Sequence, residues 1–316
     1  MTQIISHLDQ VVAKLKELPA PVTIDKAIPK GASHLEQEVP EYGKHAQEAT
    51  NLLAHVLEIN YDQVMASQDR ILEQSELLRF AECIARRAQH EPIAYIRGYR
   101  YFMTRKFLVN EHVMVPTAIT MQLVERALEH RARAAGTFLF ADVGTGSGAI
   151  ATTLALESGE AVMAMDLSED ALSLATQNAK LLNAQKLVQF RQGNLIEPLL
   201  KESSLGSYDA LILCANLPYQ PEEEWNMLES ELRDFEPELA RRGGVDGLSL
   251  YRQLFDMVLE NVNHLPKTVV ITLEVDPRLS ENLMEMINVR FPKANLKCEL
   301  GRFGIVDIID VELIRE

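Results

Sequence analysis

Apolar residues at Ile4, Leu8, Val11, Leu15 and Leu18 recur at helical spacing, which predicts a short amphipathic helix ended by Pro19 and Pro21. The plainest reading of that helix is a packing element. Between residues 19 and 43, Pro21, Pro29, Gly31 and Pro40 break any longer period, so the stretch reads as a linker or an irregular surface arm. The helical period returns at Ala49, Leu52, Leu53, Val56 and Leu57, and again at Leu77, Leu78, Ala81, Ile84 and Ala85, the pattern of a small helical domain over 46–95. Aromatic and β-branched residues on both sides of residues 103–105 then suit a short hairpin, part of a linker spanning 96–115.

From Phe138 onward the pattern changes. Short apolar runs at 138–143, 161–166, 188–191, 208–214 and 269–275 alternate with helical segments, which argues for a parallel sheet covered on both faces. The runs at 296–300 and 305–313 are separated only by residues 301–304, too few for a crossover helix, so this last pair should be antiparallel. The sequence shows no internal repeat.

Charge and cysteine usage narrow the picture further. The 316 residues carry 31 Lys and Arg against 46 Asp and Glu, a net charge of −15, which weighs against a dedicated nucleic-acid binder and for a protein partner. Cys83, Cys214 and Cys298 are far apart and form no CxxC or His-rich spacing, so neither a disulfide framework nor a metal site is expected, and a reducing cytoplasm fits. Neither a secretory signal nor an apolar run long enough for a membrane span is read in the chain.

The segment Asp142-Val143-Gly144-Thr145-Gly146-Ser147-Gly148-Ala149 follows the first strand of the sheet and opens a helix, where ligand crevices form in open α/β sheets. Its glycines permit a tight turn and a close approach of backbone to ligand. About twenty residues on, the second strand ends in Asp166, placed to accept hydrogen bonds from a ribose diol. Two cofactors suit such a loop, S-adenosylmethionine and a dinucleotide whose pyrophosphate faces the helix N-terminus, and a turn without a ligand is the plain alternative.

The strand at 208–214 runs into Ala215-Asn216-Leu217-Pro218-Tyr219, beside the same crevice. Oδ1 of Asn216 and the backbone carbonyl of Leu217 can both accept from one planar NH2 group, fixing its orientation. Pro218 holds Leu217 extended, and the ring of Tyr219 offers a flat face to a planar amide or base. An amide or exocyclic amino nitrogen is a poor nucleophile, so alignment with an activated methyl group supplies most of the help, ~7–11 kcal/mol in oriented intramolecular reactions. Seen alone, Asn-Leu-Pro-Tyr also reads as a strand-ending turn, but beside Asp-x-Gly-x-Gly-x-Gly the methyltransferase reading is favoured.

These motifs, in this order, resemble the HemK/PrmC family, methyltransferases that modify a glutamine side-chain amide in peptide-chain release factors. The resemblance runs from about Ala46 to Val311 and includes Glu91-Pro92-Ile93-Ala94-Tyr95-Ile96-Arg97-Gly98, the glycine loop, Asp166-Leu167-Ser168, Asn216-Leu217-Pro218-Tyr219, Phe235-Glu236-Pro237 and Gly243-Gly244-Val245-Asp246-Gly247-Leu248. It implies a Rossmann-like, seven-stranded class I methyltransferase sheet at 116–316, preceded by a substrate-recognition domain at 46–95 and a linking β-hairpin. It also implies S-adenosyl-L-methionine as cofactor. By resemblance Asp142 and Gly144, Thr145, Gly146, Ser147 and Gly148 would hold the methionine part, Asp166 and Leu167 the ribose, and Asn194 and Leu195 would lie near the adenine. Asn216, Leu217, Pro218 and Tyr219 would bind the target glutamine of a release factor or ribosomal protein, with Asn216, Pro218 and Tyr219 at the chemistry and Asn216 also among the cofactor-binding residues.

The sequence departs from the family pattern at named places. Leu217 stands where the family has a second proline, and residues 115–121 keep Pro116 and Thr120 but lack the family's Arg and Glu. Asn194 replaces an acidic residue, and Glu274-Val275-Asp276-Pro277 follows the later motif only loosely. Asn-Leu-Pro-Tyr also occurs in ribosomal RNA adenine dimethyltransferases, so an RNA or DNA adenine amino group is the alternative substrate, and a non-catalytic cofactor-binding module is the alternative to an enzyme. Arg86, Arg87, Arg97, Arg100, Arg105 and Lys106 face only Glu91 between residues 85 and 107, a stretch that reads either as an RNA contact or as a solvated face with local ion pairs. Trp225 reads as a substrate contact or a pocket cover.

Overall fold

The structure is a computed structural model describing residues 2–133, 135–301, 304 and 307–315. It divides into two compact units, Met1–Gly98 and Tyr99–Glu316.

The first unit is helical: α1 (Thr2–Lys16), α2 (Ile24–Glu38), α3 (His45–Leu57), α4 (Tyr61–Ala66), α5 (Gln74–Arg87) and α6 (Ile93–Arg97). Helix α2 corrects the sequence reading, which expected an irregular arm at 19–43. Pro29 lies inside this helix, yet Ile24, Ala27, Ile28, Gly31, His34 and Leu35 form a continuous buried face. Gly31 brings that face against the ring of Phe80 on α5. Tertiary packing outweighs the proline's lost hydrogen bond, as the weak prior of local propensity allows. Residues set apart as a prefix share one core with the rest of the unit, since Val11, Leu15, Ile24 and Leu35 cluster with Leu52, Leu53, Phe80 and Ile84.

A single buried cation ties α5 to α3. The Arg87 side chain is 2% exposed; its Nε and Nη2 donate to Glu48 Oε2 and Oε1 at 3.0 and 2.9 Å. Nη1 donates to the Glu91 carbonyl at 3.1 Å, and the guanidinium lies 3.9 Å from the centroid of the Tyr42 ring.

The second unit opens with the hairpin β1 (Tyr99–Phe102) and β2 (Arg105–Leu108). Met103 and Thr104 both take positive φ, the backbone that lets a two-residue turn follow the twist of its strands. Seven further strands form one sheet in the order β5-β4-β3-β6-β7-β9-β8. They are β3 (Phe138–Val143), β4 (Val162–Asp166), β5 (Val188–Gln192), β6 (Ala210–Ala215), β7 (Thr268–Val275), β8 (Asn295–Leu300) and β9 (Asp307–Ile314). The first five are mutually parallel, while β9 runs antiparallel to both β7 and β8, as expected for the last pair. Residues 305 and 306, which began the last expected strand, lie outside the described residues.

Every residue of β3 and β6 is buried, because helices cover both sheet faces and continuous apolar runs are what such strands require. The chain leaves β3 toward β4 on one side and later returns to place β6 on the other, which puts a topological switch point beside the carboxyl end of β3.

Candidate active site

One cavity opens at that switch point. The exits of four strands line it: Val143 to Ser147 after β3, Met165 to Leu167 at the end of β4, Gly193 to Leu195 after β5, and Asn216 to Pro218 after β6. Residues 111–114, Pro116, Thr120, Pro237, Leu239, Ala240 and Leu250 add to the wall.

The loop after β3 is built from beneath. Asp142, fully buried, accepts from Thr145 Oγ1 at 2.6 Å and from the Ala151 amide at 3.0 Å, so it ties the loop to the following helix α8 (Ala149–Ser158). Burial pushes its carboxyl up to about 7. Asp142 and Gly148 therefore differ from the sequence expectation. They do not line the cavity but support the loop, because Asp142 points inward and Gly148 packs on Ala175. Gly144 takes φ +73°, and a methyl group there would stand 3.3 Å from the side chain of Leu217. The glycine loop and the Asn-Leu-Pro-Tyr segment thus touch.

Asp166 spans the loop and its own strand end. Its Oδ2 accepts from the Gly146 amide at 2.8 Å and its Oδ1 from the Ser168 amide at 2.9 Å. Burial raises its pKa, and the backbone amides of Ser168, Gly146 and Leu167 pull it back. Each oxygen keeps acceptor capacity for hydroxyl donors in the cavity.

Asn216 leaves β6 with its Nδ2 3.3 Å from Thr120 Oγ1, at the start of α7 (Thr120–Arg133). The buried carboxyl of Glu274 on β7 is pushed up to about 7 by burial, while Thr120, Arg241 and Asn216 pull it back. The sequence reading noted Thr120 and Glu274 only as kept or loosely kept motif positions. Their meeting at Asn216 was the part it missed.

Residues 27–98 match the family described as the PrmC N-terminal domain, and residues 139–289 a methyltransferase domain. The release factor glutamine methyltransferase of Bacillus cereus is 33% identical over 260 residues, 81% of this chain and 89% of that protein. The chain belongs to the release factor glutamine methyltransferase family. Its relative of that name in Bacillus subtilis is 36% identical over 238 residues, 74% of this chain and 79% of its own length. Among solved structures, the hMettl16 catalytic domain in complex with the MAT2A 3′UTR hairpin 6 aligns with a TM-score of 0.51 and 12% identity, covering 71% of this chain and 90% of that one, a likeness of fold alone.

Within this family member, Tyr219 differs from the sequence expectation. Its ring is not among the residues lining the cavity but packs against the main core of the sheet, and burial pushes its phenol up to about 12. The cause lies in the backbone. The Gln220 amide donates to the Arg241 carbonyl at 3.0 Å, and the Gly243 amide donates to the Gln220 carbonyl at 2.9 Å, pinning the chain past Pro218 to the Gly243–Gly247 turn. Gly247 has φ +77°, and a methyl group there would meet the Tyr219 carbonyl at 2.4 Å. We expect Gly247→Ala to cost about 1–3 kcal/mol of stability from backbone strain alone; thermal unfolding at the wild-type midpoint would show that the turn yields instead.

Leu217 also behaves differently from a simple outward carbonyl. The Tyr251 hydroxyl reaches its oxygen at 3.3 Å while also bonding the Glu274 carbonyl, so one of the two lone pairs on Leu217 faces the core. Trp225, 8% exposed, lies under Arg242, whose guanidinium is 4.4 Å from its ring centroid, and it is not a lining residue. Glu236 of Phe235-Glu236-Pro237 accepts from the Val115 amide at 3.2 Å and pairs with Arg241, which ties down the irregular segment leading to Pro116 and Thr120.

Four of the six cations between residues 85 and 107 are engaged inside their own units. Arg86 pairs with Glu91, Arg87 is buried on Glu48, Arg105 pairs with Glu157, and Lys106 lies 4.0 Å from the Tyr99 ring centroid. One group of side chains among the described residues has metal-like spacing, His7, His34 and Glu38. The Lys14 ammonium sits 3.1 Å from His34 Nδ1, which leaves the ring proton on Nε2 and presents a donor there rather than a metal ligand. Cys83 and Cys214 are buried free thiols and Cys298 is an exposed one. Among the described residues no helix is long and apolar enough to cross a membrane.

Proposed function

We infer that this chain, in the cytoplasm, methylates the side-chain amide nitrogen of a glutamine in a peptide-chain release factor, with S-adenosyl-L-methionine as methyl donor. One observation carries the reading: Gly144 to Ser147, Asp166 and Asn216 to Pro218 line a single cavity. Kinship with release factor glutamine methyltransferases over most of the chain supports the substrate class. The helical unit Met1–Gly98 would then be the substrate-recognition domain.

The residues present fit such a cofactor. Asp166 keeps acceptor capacity for a ribose diol beside the loop that it holds, and Asn194 and Leu195 line the wall next to it. When bound, S-adenosylmethionine supplies a methyl carbon activated on a sulfonium. Asn216 Oδ1 accepts one proton of the glutamine NH2 group, and the second lone pair of the Leu217 carbonyl is placed to accept the other, so the nitrogen is oriented rather than deprotonated beforehand. Leu217 and Pro218 close the cavity wall beside the reacting nitrogen and help exclude water.

The test is incubation with labelled S-adenosylmethionine and either a bacterial release factor or ribosomal RNA, followed by mass spectrometry of the product. A methylated glutamine in the factor is the expected result. Label on RNA, or on neither, would reject the reading. Asp166→Ala should weaken cofactor binding about tenfold or more, since a hydrogen bond to a charged group contributes about 1.5–3 kcal/mol. Calorimetry showing equal affinity would remove Asp166 from the site.

A further inference from the structure

Asn178, on α9 (Glu169–Leu181), has no access to solvent. Burying a carboxamide costs free energy unless its NH2 group and its oxygen both find partners. Here they do. Oδ1 accepts from the Leu108 amide at 2.7 Å, while Nδ2 donates to the Leu108 carbonyl at 3.0 Å and to the Ser147 carbonyl at 2.9 Å.

We propose that Asn178 is a positioning residue for the cofactor, which joins the β1–β2 hairpin to the glycine loop and holds the Ser147 peptide in the orientation that cofactor binding needs. The proposal rests on the reading of the cavity as an S-adenosylmethionine site. It adds a residue that does not itself line that cavity.

The Ser147 carbonyl is available because its ordinary partner is engaged elsewhere. In an uninterrupted helix the Ala151 amide would donate to the carbonyl four residues earlier, which is that of Ser147. It donates to Asp142 instead, at 3.0 Å, and the ladder of α8 begins with the Thr152 amide on the Gly148 carbonyl at 2.9 Å. Two buried side chains thus stand in for one backbone bond, Asp142 as its acceptor and Asn178 as its donor. The exchange keeps Ser147 out of the helix and in the cavity wall with Thr145 and Gly146.

Leu108 is prepared in the same way. Phe102 pairs with Arg105 and Arg100 with Phe107, the positions that exchange ladder bonds next to a two-residue turn. By the alternation of an antiparallel pair, the N–H and C=O of Leu108 point away from β1, and Asn178 takes both as a further strand would. Residues 111–114, which follow Leu108 along the chain, also line the cavity, so one side chain ties down two of its walls. Asparagine supplies the one acceptor and two donors that this place demands. An aspartate would set an oxygen against two carbonyls, and an apolar residue would leave the Leu108 amide and both carbonyls unpaired.

The experiment compares wild type with Asn178→Ala in the full chain. Affinity for S-adenosylhomocysteine, read by calorimetry, should fall about tenfold, equivalent to about 1.4 kcal/mol and so to roughly one net hydrogen bond. The KM for S-adenosylmethionine in release factor methylation should rise by the same factor, a change that a residue serving stability alone would not produce. Equal affinity in a folded Asn178→Ala would overturn the proposal, as would a loss confined to kcat. A second measurement needs only wild type and so holds even if the variant does not fold. If releasing Leu108 from Asn178 weakens cofactor binding tenfold, reciprocity requires bound ligand to oppose that release by the same factor. Hydrogen exchange of the Leu108 amide, followed by NMR, should therefore slow about tenfold when S-adenosylhomocysteine saturates the site, and an unchanged rate would overturn the coupling. A wild type that does not bind S-adenosylhomocysteine rejects the cofactor reading of the cavity and the proposal with it, whereas the same affinity in wild type and Asn178→Ala rejects the role of Asn178 alone.

Discussion

Asn216→Ala is expected to lower methyl transfer by ~10²-fold or more, the loss typical of removing one oriented polar contact at a reacting centre. Cofactor affinity should be unchanged, because Asp166 and the glycine loop are held by contacts that do not involve Asn216. The split follows from the geometry. Asn216 reaches the cavity from β6, whereas the groups proposed to hold the cofactor come from the exits of β3, β4 and β5. Single-turnover transfer with saturating S-adenosylmethionine measures the first quantity and calorimetry the second. Wild-type turnover in the alanine variant would remove Asn216 from the chemistry.

In the helical unit, Glu48→Ala should cost about 3–5 kcal/mol of unfolding free energy, because it takes away the carboxylate that both Nε and Nη2 of the buried Arg87 guanidinium bond. The Tyr42 ring and the Glu91 carbonyl are uncharged and do not replace the lost carboxylate. Denaturant unfolding followed by far-ultraviolet circular dichroism reads the loss directly, since this unit is almost entirely helical. A double variant, Glu48→Leu with Arg87→Met, should recover most of it by removing both charges at once. A single variant as stable as wild type would show that Arg87 reaches water when Glu48 is gone.

What was legible in the sequence was local or ordered along the chain. The strands of the sheet announced themselves as continuous apolar runs, and their observed bounds fall within a few residues of the expected ones. The hairpin at residues 99–108 and the antiparallel end of the sheet followed from spacing, because a connection too short for a helix leaves few ways to pair two strands. The glycine loop and Asn-Leu-Pro-Tyr were readable because each lies at a strand exit and carries its chemistry within a few consecutive residues. The same reasoning failed at α2, where Pro29 and Gly31 looked like breaks and proved to belong to a buried helix face.

Motif membership did not say which way a side chain points. Tyr219 sits within the tetrapeptide, yet the turn at Gly247 directs its ring to the core, and Asp142 sits within the loop, yet it faces inward to hold Thr145 and the Ala151 amide. By itself the sequence determined the class of sheet, the order of its elements, the family and the two segments that face one another across the cavity, because periodicity and short motifs are properties of neighbouring residues. Only the tertiary structure decided that Thr120 and Glu274 converge on Asn216 and that the prefix before residue 46 packs into the helical core. Those contacts join residues tens of positions apart, and no local pattern encodes a pairing that exists only once the strands have taken their order in the sheet and the helices have closed on a common core.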